Sequence, residues 1–129
     1  MSFDDLIGIS FKDRGRSIKG TDCWGQVMLV FARFGIKVSD FQVSCYESKQ
    51  IDAVVTDQKR LWKKTYSPLP PALIVMRLDP DLPGYCNHLG VFIGEGFFIH
   101  TMKKMNSCAV RLDHPFFGRK IEGFYRYAG

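Results

Sequence analysis

The stretch of sequence that decides the fold is Thr21-Asp22-Cys23-Trp24-Gly25-Gln26-Val27-Met28-Leu29-Val30-Phe31. Thr21 or Asp22 can cap the free amide groups of a helix that begins at Cys23. The apolar residues that follow recur at helical spacing, and Gly35 is a typical stop signal. The pattern therefore predicts a buried helix that carries a cysteine in its first turn.

The position of Cys23 is typical of a reactive thiol. The N-terminus of a helix has about half a positive charge, which favours the thiolate and is expected to lower the cysteine pKa. The alternative is that Cys23 is a small buried residue without a chemical role, as many free cysteines are. Histidines that converge on Cys23 would favour the catalytic interpretation.

The composition is typical of one globular domain over residues 1–129, since 46% of the residues are hydrophobic and 14% are aromatic. Lys and Arg number 18 against 13 Asp and Glu, and the resulting charge of +5 is spread along the chain. Such a charge suits an anionic partner such as a cell wall or nucleic acid, although a solvated basic face is the commoner explanation. We predict no nucleic-acid partner.

No two of the four cysteines have C-x-x-C spacing, which argues against a four-thiolate zinc site. They are Cys23, Cys45, Cys86 and Cys108. The acidic N-terminus lacks the basic and apolar regions of a signal peptide, and no apolar run approaches the roughly 20 residues that span a bilayer. We therefore expect synthesis in the cytoplasm, reduced thiols and no membrane insertion. We also predict no cofactor.

Helical signals fill the first half of the chain and strand signals fill the second. Residues 44–47 have the S-x-x-E spacing of a capping box, which predicts a second substantial helix whose apolar positions extend to Trp62. Prolines in the segment 67–71 end the helical half. Extended segments follow at 72–78, 89–94, 97–101, 108–112 and 122–127. This order predicts an α+β fold with about five antiparallel strands.

Two of the three histidines lie on adjacent predicted strands, His88 before the turn Gly94-Glu95-Gly96 and His100 after it. If all three turn residues are in the loop, Val91 pairs with Ile99 and the two histidines share one face. A two-residue loop would pair Val91 with His100 and separate the histidines. We predict the first register because it keeps the apolar residues of both strands together.

In this register His88 is diagonal to His100, and Gly90 leaves the space between them open. A coherent mechanism follows, in which Cys23 attacks a carbonyl, His88 takes the thiol proton and His100 orients His88. Taken singly, each histidine could instead be structural. A less favoured alternative is a metal site made of Cys23, Cys86, His88 and His100.

Three motifs in this order, G-x-DCWG-x-V, H-x-G-x-FIG and FIH, resemble those of the NlpC-type cell-wall cysteine peptidases, a papain-like family. The resemblance covers residues 7–127. More narrowly, DCWG with the ending R-K-I-E-G-F-Y-R at 119–126 is similar to a branch found in phage and prophage tail modules. The resemblance implies a papain-like fold with a central antiparallel sheet packed on the cysteine helix, and incorporation into a phage virion tail.

The same resemblance implies hydrolysis of peptidoglycan stem peptides, typically between D-glutamate and a diamino acid. It places the nucleophile at Cys23, the base at His88 and the orienting residue at His100. It also suggests that Asp22 helps to hold the free amino group of the substrate. A role as a helix cap explains Asp22 equally well.

The chain departs from the family pattern near the expected substrate site. Family members commonly have a serine after the cysteine and a tyrosine about a dozen residues before it, where this chain has Trp24 and Phe11. We expect both residues to line the substrate site, with Trp24 either building or blocking a subsite. The alternative function is a structural tail-assembly protein with a peptidase-like fold, which docks on other tail proteins. The basic, aromatic segment 116–127 could be its docking surface, or it could equally be a final strand that packs into the core.

Overall fold

The computed structural model describes residues 1–40, 48–82 and 84–129. The helices are α1 (Cys23–Arg33), α2 (Ser48–Gln58) and the short α3 (Pro115–Gly118). The strands are β1 (Arg16–Ser17), β2 (Gly20–Thr21), β3 (Trp62–Thr65), β4 (Ala72–Met76), β5 (His88–Gly94), β6 (Phe97–His100), β7 (Cys108–Arg111) and β8 (Ile121–Tyr127). Single turns of 3₁₀ helix cover Asp4–Leu6 and Lys59–Leu61.

Strands β3 to β8 form one antiparallel sheet in the order β3-β8-β4-β5-β6-β7. Strands β1 and β2 form a separate two-stranded hairpin just before α1. Each of the five predicted strand segments is present, and β3 is added at one edge of the sheet. The predicted α+β fold with a central antiparallel sheet is therefore confirmed.

The sheet is covered on both faces, which explains why all five residues of β4 are buried. On one face Leu73 and Val75 belong to a core shared with α1 and α2. On the other face Ile74 and Met76 pack in a smaller core with aromatic side chains from β6 and α3. The larger core fixes α1 against β5, and this contact positions the cysteine relative to the histidines.

Helix α1 has the predicted start and end. The side chain of Asp22 accepts a hydrogen bond from the backbone N–H of Gly25, so Asp22 is the N-cap. Gly35 follows the helix with a φ of 77°, the left-handed conformation that glycine adopts most easily. Val27 and Phe31 are completely buried on the face that meets the sheet.

The prediction for the segment after α2 is wrong at Trp62. The helix ends at Gln58, and Trp62 begins β3, where it pairs with Tyr127 of β8. Trp62 is buried against Phe31 in an edge-to-face contact with ring centroids 5.3 Å apart, whereas Lys63 and the following lysine are exposed. Trp62 is thus the one buried residue of this edge strand. The predicted capping box at 44–47 lies outside the described residues.

The hairpin of β5 and β6 keeps the predicted register, because Val91 pairs with Ile99. The turn differs from the prediction, since only Glu95 and Gly96 lie in the loop. Both have positive φ, at 56° and 82°, as a type I′ turn requires. A bulge in β5 just before the turn takes up the remaining residue. The bulge restores the register that places both histidines on one face.

Candidate active site

Cys23 is the first residue of α1 and lines a cleft of about 280 Å³. The side chain of Cys23 is buried, with 7% of its surface exposed. The backbone N–H groups of Leu89 on β5 and of Trp24 lie within reach of its sulfur, where they favour the thiolate. The sulfur is therefore fixed between the start of a helix and the start of the central strand β5.

The pKa of Cys23 differs from the prediction. Burial and, second to it, the negative charge of the adjacent Asp22 raise the pKa of the thiol to about 12. The Leu89 and Trp24 amides and the positive charge of Arg16 oppose this change but do not outweigh it. The resting cysteine is thus a thiol, and it needs a base to become a nucleophile.

His88 begins β5 and His100 ends β6, and the two imidazoles are in direct contact. The distance from His88 Nε2 to His100 Nδ1 is 2.9 Å, which is a hydrogen bond between two buried rings. Gly90 contributes to this arrangement differently from the prediction. A Cβ at Gly90 would meet Cδ2 of Phe98 at 3.0 Å, so the space beside Gly90 is filled by the Phe98 ring.

The surroundings of the two histidines keep both rings neutral. Burial holds the pKa of His88 well below its ordinary value, and His100 lowers it further. Burial likewise lowers the pKa of His100 to about 4, with the nearby His114 as a second cause. At neutral pH both imidazoles therefore carry one proton, and His88 is able to accept another.

The contact between the two rings involves one nitrogen of each histidine. His100 Nε2 is buried and has no hydrogen-bond partner among the residues that the structure describes. Its ring packs against Phe117, with centroids 4.7 Å apart at an angle of 73°. If His88 donates from Nε2 to His100 Nδ1, the remaining lone pair of His88 lies on Nδ1, on the far side of its ring from His100. In this tautomer His88 can act as a base.

The cleft brings together some of the predicted site residues and leaves out others. Phe11 lines it with Cys23 and His88, whereas Asp22 and Trp24 do not. Residues that the sequence analysis did not identify complete the lining: Leu78, Asp79, Pro80, Asn87, Thr101, Met102 and Lys103. These residues lie in the loop before β5 and directly after β6. They could have been identified in the sequence only by their nearness to the strands that carry His88 and His100.

Asp22 is occupied by contacts within the chain. Only 2% of Asp22 is exposed. Its Oδ1 accepts hydrogen bonds from the backbone N–H of Gly25 at 2.9 Å and from Nη1 of Arg16 at 2.7 Å, and its Oδ2 accepts one from the backbone N–H of Arg14 at 2.9 Å. The structure therefore supports the capping role of Asp22. Sequence spacing gave no signal for Arg16.

Trp24 points into the core. It is 3% exposed, its indole N–H donates to the carbonyl oxygen of Ser39 at 3.1 Å, and its ring meets Trp62 edge to face. This position fixes the first turn of α1 against the sheet. The structure does not bring Trp24 to the cleft that holds Cys23 and His88.

Two further expectations concern metals and membranes. Within the described ranges, no three His, Cys, Asp or Glu side chains are grouped so that they could hold a metal ion. The alternative metal site with Cys86 is therefore not formed by these residues. No described helix has the length and apolar character needed to cross a membrane.

Comparison with known proteins gives a family for the chain and several similar folds. Residues 8–126 match the NlpC/P60 family. The fold is similar to NlpC1 from Trichomonas vaginalis, with a TM-score of 0.70 and 19% identity over 94% of this chain and 40% of that chain. It is also similar to an NlpC/P60 family protein from Bacillus cereus ATCC 10987, with a TM-score of 0.65 and 20% identity over 100% of this chain and 41% of that chain.

A third similar structure is the NlpC/p60 domain of the peptidoglycan hydrolase SagA, with a TM-score of 0.59 and 15% identity over 95% of this chain and 89% of that chain. No curated protein matches the sequence. The chain spans less than half the length of the Trichomonas and Bacillus proteins. At these identities the structural likeness shows the fold, and the family match over residues 8–126 shows that the chain belongs to the NlpC/P60 family.

Proposed function

We propose that the chain is a cysteine peptidase that hydrolyses peptidoglycan stem peptides through Cys23, His88 and His100. The observation that carries this proposal is the contact of 2.9 Å between His88 Nε2 and His100 Nδ1, at a cleft that Cys23 and His88 both line. The family and the similarity to a domain of a peptidoglycan hydrolase support the substrate class. The roles of nucleophile, base and orienting residue fall to these three side chains in that order.

The first step joins proton transfer to attack. The neutral Nδ1 of His88 takes the thiol proton as the Cys23 sulfur adds to the carbonyl carbon of the peptide. His100 stabilises the resulting imidazolium by accepting a hydrogen bond from His88 Nε2. We assign the backbone N–H of Cys23, at the first position of α1, as a donor to the oxyanion that forms.

The second step releases the products. The tetrahedral intermediate breaks its C–N bond, and the leaving amine takes the proton from His88. Water then attacks the thioester while His88 again accepts a proton, and the carboxylic acid leaves as the Cys23 thiol is restored. Each cycle consumes one peptide bond and one water molecule.

The cleft lining suits a charged peptide. Phe11 supplies an apolar wall, and Asp79 and Lys103 supply opposite charges. Stem peptides carry both carboxylate and ammonium groups, which these two side chains can attract. We infer that the bond between D-glutamate and the diamino acid is cleaved, and that Asp22 and Trp24 support α1 from behind without contacting substrate.

The test is mass spectrometry of purified cell wall after incubation with the protein. Wild type should release fragments with a new amino terminus at the diamino acid, and Cys23→Ala and His88→Ala should release none. Cys108→Ala is the matched control, because Cys108 is a partly exposed cysteine on β7 that does not line the cleft. Cleavage by Cys23→Ala at the wild-type rate, or an inactive Cys108→Ala with an active Cys23→Ala, would overturn the assignment.

A second candidate is docking on other phage tail proteins. Two buried aromatic residues of the predicted docking segment, Phe117 and Tyr125, belong to the core. A different surface favours docking, a groove of about 670 Å³ whose lining includes the exposed Met1, Leu69 and Phe97. If docking is the necessary role, Cys23→Ala should support infectious particles as well as wild type, and Leu69→Asp should not.

A further inference from the structure

Arg16 lies behind the nucleophile, on the short β1–β2 hairpin, and forms a network with two carboxylates. Its Nη1 lies 2.7 Å from Oδ1 of Asp22, and its Nε donates to Oδ1 of Asp40 at 2.9 Å. Nη1 also donates to the carbonyl oxygen of Gly15 at 2.8 Å. The Arg16 side chain is 18% exposed and that of Asp22 is 2% exposed. The guanidinium is thus held in one orientation against a buried carboxylate.

The Asp22 carboxylate is adjacent to Cys23 in the chain and caps the same helix end. An unbalanced negative charge at this place would offset the positive potential of the helix N-terminus at the neighbouring sulfur and would disfavour a thiolate there. A buried charge that loses its partner is also poorly compensated by solvent. The cation of Arg16 is therefore placed to balance the Asp22 charge beside the reactive sulfur.

The other titratable groups around Cys23 come from several elements. His88 approaches from β5 with His100 behind it, and Asp79 and Lys103 line the cleft on the open side. Both histidines are neutral, since burial lowers the pKa of each. Asp22 raises the pKa of the Cys23 thiol and Arg16 lowers it. The balance between these two charges is therefore a direct influence on the sulfur.

We propose that Arg16 is a positioning residue for the nucleophile, which acts through Asp22 by balancing the carboxylate charge next to Cys23. The role does not require contact with substrate. The inference rests on the assignment of Cys23 as the nucleophile in the proposed function. It extends that assignment to a residue six positions before the helix cap.

The test measures alkylation of Cys23 by iodoacetamide across a pH series, with the modified peptide identified by mass spectrometry. No cell-wall substrate is involved, so a wrong substrate class does not affect the result. Because burial raises the pKa of the Cys23 thiol, the alkylation rates are compared at matched pH values at which the chain stays folded. Arg16→Gln should lower the rate at each of these pH values, about tenfold for each unit by which the Cys23 pKa rises. Adding Asp22→Asn to Arg16→Gln should return the rate toward that of wild type, because the uncompensated carboxylate charge is removed while asparagine still caps the helix.

Arg33→Gln is the matched control, since it breaks an exposed arginine–carboxylate pair with Asp5 at the other end of α1. The alkylation rate of Arg33→Gln should equal that of wild type at each pH. If Arg16→Gln does not fold, Asp22→Asn alone decides, because removal of the carboxylate charge should raise the rate. An unchanged rate in folded Arg16→Gln, or an unchanged or lowered rate in Asp22→Asn, would overturn the proposal.

Discussion

The two ends of α1 are each linked to an arginine–carboxylate pair, and the two pairs differ in burial. The shortest N–O distances are similar, 2.7 Å for Arg16–Asp22 and 2.6 Å for Arg33–Asp5. At the N-terminal end the carboxylate is 2% exposed, whereas at the C-terminal end it is 61% exposed. Water screens the second pair and has little access to the first. The N–O distance alone therefore does not show which ion pair contributes more to stability. Only the buried pair, Arg16–Asp22, lies beside Cys23 and affects the charge there.

The largest expected effect on stability is that of Asp22→Ala. The substitution removes the helix cap and leaves the Arg16 guanidinium with Asp40 as a carboxylate partner. Loss of a cap costs about 1 kcal/mol and a buried donor left without its acceptor costs about 1 to 3 kcal/mol, so the free energy of unfolding should fall by about 2 to 4 kcal/mol. Urea denaturation at neutral pH measures the free energy of unfolding.

Asp5→Ala is the control at the opposite end of α1. The exposed pair with Arg33 contributes about 0.2 to 1 kcal/mol at most, so the unfolding midpoint should move little. If the two alanine variants lost equal stability, burial would not be the property that distinguishes the two ends. Asp22→Asn, which keeps a capping oxygen, should lose less stability than Asp22→Ala.

The same difference explains what the sequence could predict about the site. The cap at Asp22, the stop at Gly35 and the register of Val91 with Ile99 depend on neighbouring residues or on a simple alternation, so they could be predicted. The raised pKa of Cys23 depends on how deeply the sulfur is buried by the rest of the chain. The helix end alone predicted the opposite direction.

Two other features depended on distant residues. Trp62 follows a helix in the sequence, and it belongs to a strand only because β8 provides a partner more than sixty residues later along the chain. Arg16 has no motif of its own, and its role is defined by Asp22 and Asp40. In both cases the local pattern was compatible with several structures, and tertiary contacts selected one.

The N-terminal end of α1 also lies beside the two buried histidines. Because burial disfavours their protonation, acid should destabilise the folded chain. A histidine whose pKa is lowered by folding binds a proton more readily in the unfolded chain, and stability therefore falls as pH decreases from about 6.5. The pKa of His100 is lowered to about 4. From this group alone the free energy of unfolding should fall by about 2 kcal/mol between about pH 7 and about pH 5.

Comparison of urea midpoints at the two pH values tests this prediction. His100→Phe places an apolar ring among Phe98 and Phe117 and should reduce the acid-induced loss. His114→Ala, at an exposed position, should leave most of the loss in place. Carboxylates with lowered pKa values, such as Asp5, titrate below this range. If His100→Phe lost as much stability in acid as wild type does, the acid-induced loss would come from other groups.

The smallest expected effect is at the C-terminal end of α1. Gly35 has a φ of 77°, and a Cβ built there would meet nothing within 4 Å, so Gly35→Ala should cost only the left-handed backbone conformation, about 1 kcal/mol. Gly35→Asn should cost less, because asparagine tolerates this conformation. Gly84→Ala, which also adds a Cβ into open space but without positive φ, should leave the urea midpoint within about 0.5 kcal/mol of wild type. A greater loss of stability in Gly35→Ala than in Asp5→Ala would show that backbone conformation, and not the exposed ion pair, stabilises the C-terminal end of α1. The N-terminal end, which carries Cys23, would then differ in being stabilised by charge. Equal losses in Gly35→Ala and Gly84→Ala would contradict this, because the helix end would then relax to accept alanine.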